Sequence, residues 1–245
     1  MHELTRHTCD LRPQNISGGM LCDDMGLGKS LVSLCLILLN PPRDRVFVTG
    51  TGADNTSGTD VPVRTPPTLI VCPMSVLDAW QMQVDTHIKS GLLKVIMYHG
   101  PNRARNPDDL TACDIVLTTY DVLASEFMAR EANPNPKAKA NPKKRKAESV
   151  LESIHWHRVV LDEAHIIRNM STVRYKACAQ LEATYRWCVT GTPVQNSVAD
   201  LQSQVQFLRL QPFHTDTTLF SRYLTRPIKA GDPQAVGKNK NNPPI

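Results

Sequence analysis

The stretch Gly19-Met20-Leu21-Cys22-Asp23-Asp24-Met25-Gly26-Leu27-Gly28-Lys29-Ser30 decides how the rest of the chain is read. Its first four residues form a short apolar run, and Lys29–Leu39 continues with a helical pattern, so the glycines fall in a strand-to-helix turn. Glycines there let backbone N–H groups turn inward around phosphate oxygens, and the helix N-terminus adds favourable potential for an anion. In that setting Asp24, Met25, Gly26, Leu27 and Gly28 form the cradle. Lys29 reaches toward β- and γ-phosphates, and the Ser30 hydroxyl is placed to hold magnesium. The strict form G-x-x-x-x-G-K-[ST] requires glycine at position 23, where this chain has Asp23. A Gly-Lys-Ser helix start without a ligand is the bland alternative, and the surrounding sequence has to decide.

Outward from that turn, apolar runs at Gly19–Cys22, Leu69–Cys72, Leu93–Tyr98, Ile115–Thr118, Val159–Asp162 and Trp187–Thr190 predict buried strands. Helical patterns at Lys29–Leu39, Val76–Lys89, Val122–Ala132, Val173–Ala183 and Val198–Leu210 lie between or after them. Alternation of this kind with nearly unbroken apolar strands predicts an α/β fold, a mostly parallel sheet covered by helices on both faces. Two segments interrupt it. Residues 41–67 are rich in Gly, Thr, Asp and Pro, and residues 132–149 repeat Asn-Pro and Lys-Ala units, so both read as flexible inserts. Residues 1–17 and 214–245 read as tails around one lobe spanning 18–213.

Composition excludes several classes. The chain has 245 residues, 41% of them apolar and 21% charged, as in a folded water-soluble lobe. Met1–Leu11 is too polar for a signal peptide, and the longest apolar run, Leu31–Leu39, is too short to cross a bilayer, so no membrane association is expected. Seven cysteines form no C-x-x-C pair and sit mostly among apolar neighbours. They read as buried thiols in a reducing compartment, with no structural zinc. Of the net charge of +5, the stretch Arg130–Lys146 supplies +6, leaving −1 for the remainder. The basic balance belongs to an insert and does not itself describe a nucleic-acid surface.

Val159-Val160-Leu161-Asp162-Glu163-Ala164-His165 is an apolar strand ending in two carboxylates. Asp162 can hold a magnesium hydration shell opposite Ser30, and Glu163 is then placed to polarise a water for in-line attack on a γ-phosphate. Alone, the pair would be read as a helix cap; together with the glycine turn it points to ATP hydrolysis. Trp187-Cys188-Val189-Thr190-Gly191-Thr192-Pro193-Val194-Gln195-Asn196 is a strand followed by a polar turn at the same sheet edge. Thr190, Gly191, Thr192 and Gln195 are therefore candidates for coupling nucleotide state to the rest of the molecule.

The phrases GGMLCDDMGLGKS, TLIVCPMSVLDAW, DIVLTTYDVL, HWHRVVLDEAHIIRN and WCVTGTPVQN, in that order and spacing, resemble motifs I, Ia, Ib, II and III of the SWI/SNF-type ATPases of helicase superfamily two. DEAH alone also occurs in DEAH-box RNA helicases, but DMGLGKS and TGTP depart from that group's pattern. Within the SWI/SNF type, Trp156–Asn169 is most similar to the subgroup of helicase-like transcription factor and its post-replication-repair relatives. The resemblance implies a RecA-like lobe using ATP and magnesium, with double-stranded DNA and chromatin as partners. It implies DNA-backbone contacts at Ser75, Thr119 and Tyr120, which fall in motifs Ia and Ib, joined by Arg168 and Asn169. Lys143, Lys144, Arg145 and Lys146 resemble a nuclear localisation signal, which implies an import receptor and a nuclear address.

Such motors hold ATP between two lobes, and nothing after Phe213 resembles the second. Two expectations follow: the first lobe of a DNA-dependent ATPase, or a catalytically silent nucleotide- or DNA-binding fragment.

Overall fold

The computed structural model describes residues 17–42, 66–132, 149–194 and 198–231. Six strands form one sheet: β1 Gly18–Leu21, β2 Thr68–Cys72, β3 Val95–Met97, β4 Ile115–Thr119, β5 His155–Asp162 and β6 Glu182–Val189. Their spatial order is β1-β6-β5-β2-β4-β3, and every neighbouring pair is parallel. The α/β class with a parallel sheet, expected from the alternation of apolar runs and helical patterns, is the observed one.

The longer helices are α1 Lys29–Leu39, α2 Leu77–His87, α3 Pro107–Thr111, α4 Tyr120–Ala132, α5 Val173–Gln180 and α6 Ala199–Phe207. Every residue of β2 and β4 is buried, as a strand covered on both faces requires. Alternate side chains divide between two apolar layers. Leu69, Val71, Val159 and Leu161 pack with Tyr120, Leu123, Phe127, Ala177 and Cys178 on the α4–α5 side. Ile70, Cys72 and Val160 pack with Leu34, Ile37, Leu77, Trp80 and Val84 on the α1–α2 side.

Several boundaries differ from the sequence reading. The helical pattern at Val173–Ala183 ends at Gln180, because Glu182 and Ala183 pair with His155 and Trp156 and lengthen β6. The expected strand Leu93–Tyr98 narrows to β3, at the sheet edge. The helix after β4 begins at Tyr120 rather than Val122.

The segment after Phe213, expected as a tail, carries two short helices, α7 Thr217–Phe220 and α8 Arg226–Lys229, joined by one π-helical turn. Asp216 starts α7 by accepting from Thr218 N at 2.9 Å, and Phe220 is buried edge-on against Phe213. Among the described residues no helix is long and apolar enough to cross a membrane. Most of the two inserts lies outside the described residues, as do Lys143, Lys144, Arg145, Lys146 and Gln195.

Candidate functional site

The register of the sheet brings three strand tips together. Leu21 pairs with Val189 and Val189 with Asp162, so β1, β6 and β5 end side by side at the C-terminal edge. Beyond those ends lie the Gly26–Ser30 loop, the Thr190–Pro193 turn and the Asp162–Glu163 pair.

In the glycine loop, Gly26 and Gly28 have φ of 83° and 79°, a left-handed backbone that disfavours other residues, and Gly28 is the N-cap of α1. Asp23 through Gly28 is exposed. Lys29 folds back over the loop, and its Nζ donates to Asp23 O at 2.9 Å and Asp24 O at 2.8 Å. Asp23, where the strict pattern has glycine, thus takes part through its backbone carbonyl. The loop therefore presents an ammonium group and a helix N-terminus at one place.

The Asp162 carboxylate is held at both oxygens: Oδ1 accepts from Glu163 N at 3.0 Å and Oδ2 from the Trp80 indole at 2.8 Å. Burial raises its pKa; the Trp80 hydrogen bond opposes that rise, the Glu163 charge adds to it, and the Glu163 N–H and the Lys29 charge oppose it. Burial, followed by the charge of Asp162, pushes the neighbouring Cys72 thiol up to about 12. Glu163 has φ 51° and ψ 51°, a left-handed conformation that costs a non-glycine residue on the order of 1–3 kcal/mol. Such strain persists only where neighbours enforce it. Here the Tyr120 hydroxyl donates to Asp162 O at 2.8 Å, while Asp162 Oδ1 takes the N–H of the same peptide.

Glu163 Oε2 is buried and accepts no hydrogen bond. His165 Nδ1 lies 3.1 Å from that oxygen and 3.4 Å from Thr190 Oγ1, bridging the β5 and β6 tips. Thr190 N donates to Leu21 O at 3.1 Å, and Thr190 Oγ1 accepts from Thr192 N at 3.2 Å. Behind the turn, the buried Gln204 side chain donates to Pro193 O at 3.3 Å.

The residues expected along a nucleic acid separate into two groups. Ser75, on the 3-10 turn Met74–Val76, is exposed, as are Arg168 and Asn169. The Asn169 carboxamide caps its own turn, accepting from Ser171 N at 2.9 Å and Ser171 Oγ at 2.8 Å. Thr119 and Tyr120 require correction as backbone contacts. They are 1% and 2% exposed; Thr119 Oγ1 accepts from Val122 N, and the Tyr120 hydroxyl is spent on Asp162 O. Thr119 closes β4 and Tyr120 opens α4, where the strand passes into the helix.

Sequence reasoning missed Trp80 and Gln204, whose polar atoms work at the site while their bodies read as helix interior. The only signal was indirect, since a buried indole N–H must find an acceptor.

Residues 3–241 match the model of the SNF2-related domain. Human helicase-like transcription factor is 40% identical over 202 residues, covering 81% of this chain and 18% of that protein. The Arabidopsis thaliana DNA repair protein RAD5B is 34% identical over 234 residues, covering 91% of this chain and 17% of that protein. The chain thus spans less than a fifth of the length of either relative. The SWI2/SNF2 ATPase core of Sulfolobus solfataricus, solved in complex with double-stranded DNA, superposes with a TM-score of 0.60 at 28% identity. That match covers 90% of this chain and 37% of the core. The RecA-like lobe expected from the sequence is consistent with that superposition.

Proposed function

From the premise that this chain belongs to the SNF2-related domain family, we propose that it is the ATP-binding lobe of a DNA-dependent motor ATPase of the remodelling or DNA-repair type. The observation that carries this reading is the convergence of the Gly26–Ser30 loop, Asp162–Glu163 and Thr190–Gly191 beyond three adjacent strands. Asp24, Met25, Gly26, Leu27 and Gly28 wrap the phosphates, and Lys29 exchanges its two carbonyl partners for β- and γ-phosphate oxygens.

The donor set also fits magnesium: a hydroxyl at Ser30 and a carboxylate at Asp162 whose two oxygens are held in place by Trp80 and Glu163 N, with Glu163 Oε2 beside His165. Ser30 and Asp162 would hold the ion, which when bound neutralises charge on the phosphates. Glu163 then orients the attacking water. His165 bridges Glu163 to Thr190, so Thr190, Gly191, Thr192 and, beyond the described residues, Gln195 pass the nucleotide state onward.

Duplex DNA is the proposed track. Ser75, Arg168 and Asn169 offer exposed polar groups suited to phosphates, which position a protein without reading sequence. The Lys143–Lys146 cluster suits an import receptor, which supports a nuclear address, where a DNA track and chromatin are found. Rapid turnover in such motors depends on arginines supplied across the nucleotide, worth about 10³–10⁵ in rate. This 245-residue chain is expected to bind ATP with magnesium. Calorimetry with ATP and magnesium tests the proposal: binding should vanish in Lys29→Ala, and binding that survives the substitution overturns it.

A further inference from the structure

Trp80 sits on α2, packed in the apolar layer with Leu77, Val84, Ile70 and Val160, and is 2% exposed. An indole in that place could satisfy its N–H on a nearby carbonyl, as Trp156 does on Leu151 O at 2.9 Å. It meets Asp162 Oδ2 instead, at 2.8 Å. Because Glu163 N already occupies Oδ1, the two bonds fix the carboxylate against rotation about its last bond. Asp162 is also gripped from the opposite layer, where Tyr120 holds its backbone carbonyl. Two helices, α2 after the adjacent strand β2 and α4 after β4 one strand further out, thus each send one aromatic donor to a single residue of β5.

We propose that Trp80 is a positioning residue for the metal-binding carboxylate, its indole N–H setting the rotation in which Asp162 receives magnesium. The inference rests on the nucleotide-and-magnesium reading above. Partners that orient a metal ligand typically contribute about 10–100-fold to metal affinity when removed. Trp80 also stands on the helix entered through the exposed Ser75 turn, so a shift of that turn reaches Asp162 through one hydrogen bond.

The experiment uses the 245-residue chain labelled with nitrogen-15. Its three tryptophans give three indole N–H resonances, and the one missing in Trp80→Phe belongs to Trp80. That resonance is expected to move when magnesium is added in the presence of ADP, and to stay put with ADP and a chelator. In Trp80→Phe, which keeps an aromatic ring and loses the donor, the gain in ADP affinity from magnesium should fall about tenfold or more. Affinity for ADP without magnesium should be unchanged.

An unmoved indole alongside a magnesium-dependent gain in affinity overturns the inference and leaves the nucleotide reading intact. Absence of Lys29-dependent nucleotide binding in the unsubstituted chain overturns both. Should Trp80→Phe fail to fold, the resonance is assigned through the ring protons of the unsubstituted chain, and the magnesium titration alone decides.

Discussion

Gly191 lies against Met25: a β-carbon on Gly191 would stand 3.4 Å from Met25 Cγ and 3.6 Å from Met25 N and Asp23 O. The turn after β6 therefore stands against the glycine loop, with space for a β-carbon in van der Waals contact and little beyond it. Gly191→Ala meets only ordinary contact and should leave stability and nucleotide affinity nearly unchanged. Gly191→Val adds branches that must push Met25 aside, and overpacking of this kind costs about 1–3 kcal/mol. The loop is exposed, so the cost should fall on nucleotide affinity, as a loss of roughly tenfold for 1.4 kcal/mol. Calorimetric titration of both variants with ADP checks this, with melting temperature as the folding control.

Lys29 donates to two backbone carbonyls at an exposed loop. Their loss in Lys29→Ala should cost stability only about 1 kcal/mol, since water replaces the ammonium. Nucleotide response should change far more. Ligand at about 100 times its dissociation constant stabilises a binding-competent chain by roughly 2.7 kcal/mol. Thermal melts with and without ATP and magnesium should show a rise for the unsubstituted chain and none for Lys29→Ala.

Tyr120 separates the two readings of its motif. A contact to DNA predicts that Tyr120→Phe lowers DNA affinity at constant stability. The structure predicts the reverse, because the hydroxyl is buried on Asp162 O beside the strained Glu163. Removing it takes one hydrogen bond from a part-buried carbonyl, at about 0.5–1.5 kcal/mol. For a chain of this size each kcal/mol lowers the melting temperature by roughly 2–4 °C. Urea denaturation and a duplex-binding titration of the same variant decide between them.

The contrast at Tyr120 shows where the sequence was legible. The apolar runs of β2 and β4 were readable because both faces are covered, so no alternation was needed to place them. Helix α1 was found at Lys29–Leu39, since its glycine turn and its helical pattern agree. Leu181–Ala183 was not, because pairing with β5 overrode a helical pattern, and that pairing is set by residues distant in the chain. The turns after β2 and β4 look alike in sequence. Only the fold directs Ser75 outward and Tyr120 inward. Trp80 was hidden for a related reason, since its ring belongs to the core and only its nitrogen to the site.

His157 gives a pH signature at the opposite end of β5. Its Nε2 lies 3.3 Å from Asn40 O at the C-terminus of α1, beside Arg158, whose guanidinium donates to the same oxygen at 2.9 Å. Burial lowers the His157 pKa, the Arg158 charge lowers it further, and the Asn40 carbonyl partly opposes them. The unfolded chain, with its ordinary value near 6.5, then takes up a proton before the folded chain does. Stability is unaffected above about pH 6.5 and falls as the pH drops through that value toward the lower folded one. In His157→Gln, which keeps a donor and does not titrate, this part of the decline should disappear. Urea midpoints from pH 7.5 to 5 for both chains check the sign. The difference between the two chains should grow on acidification in favour of the variant, and a constant difference across the range would contradict the assignment.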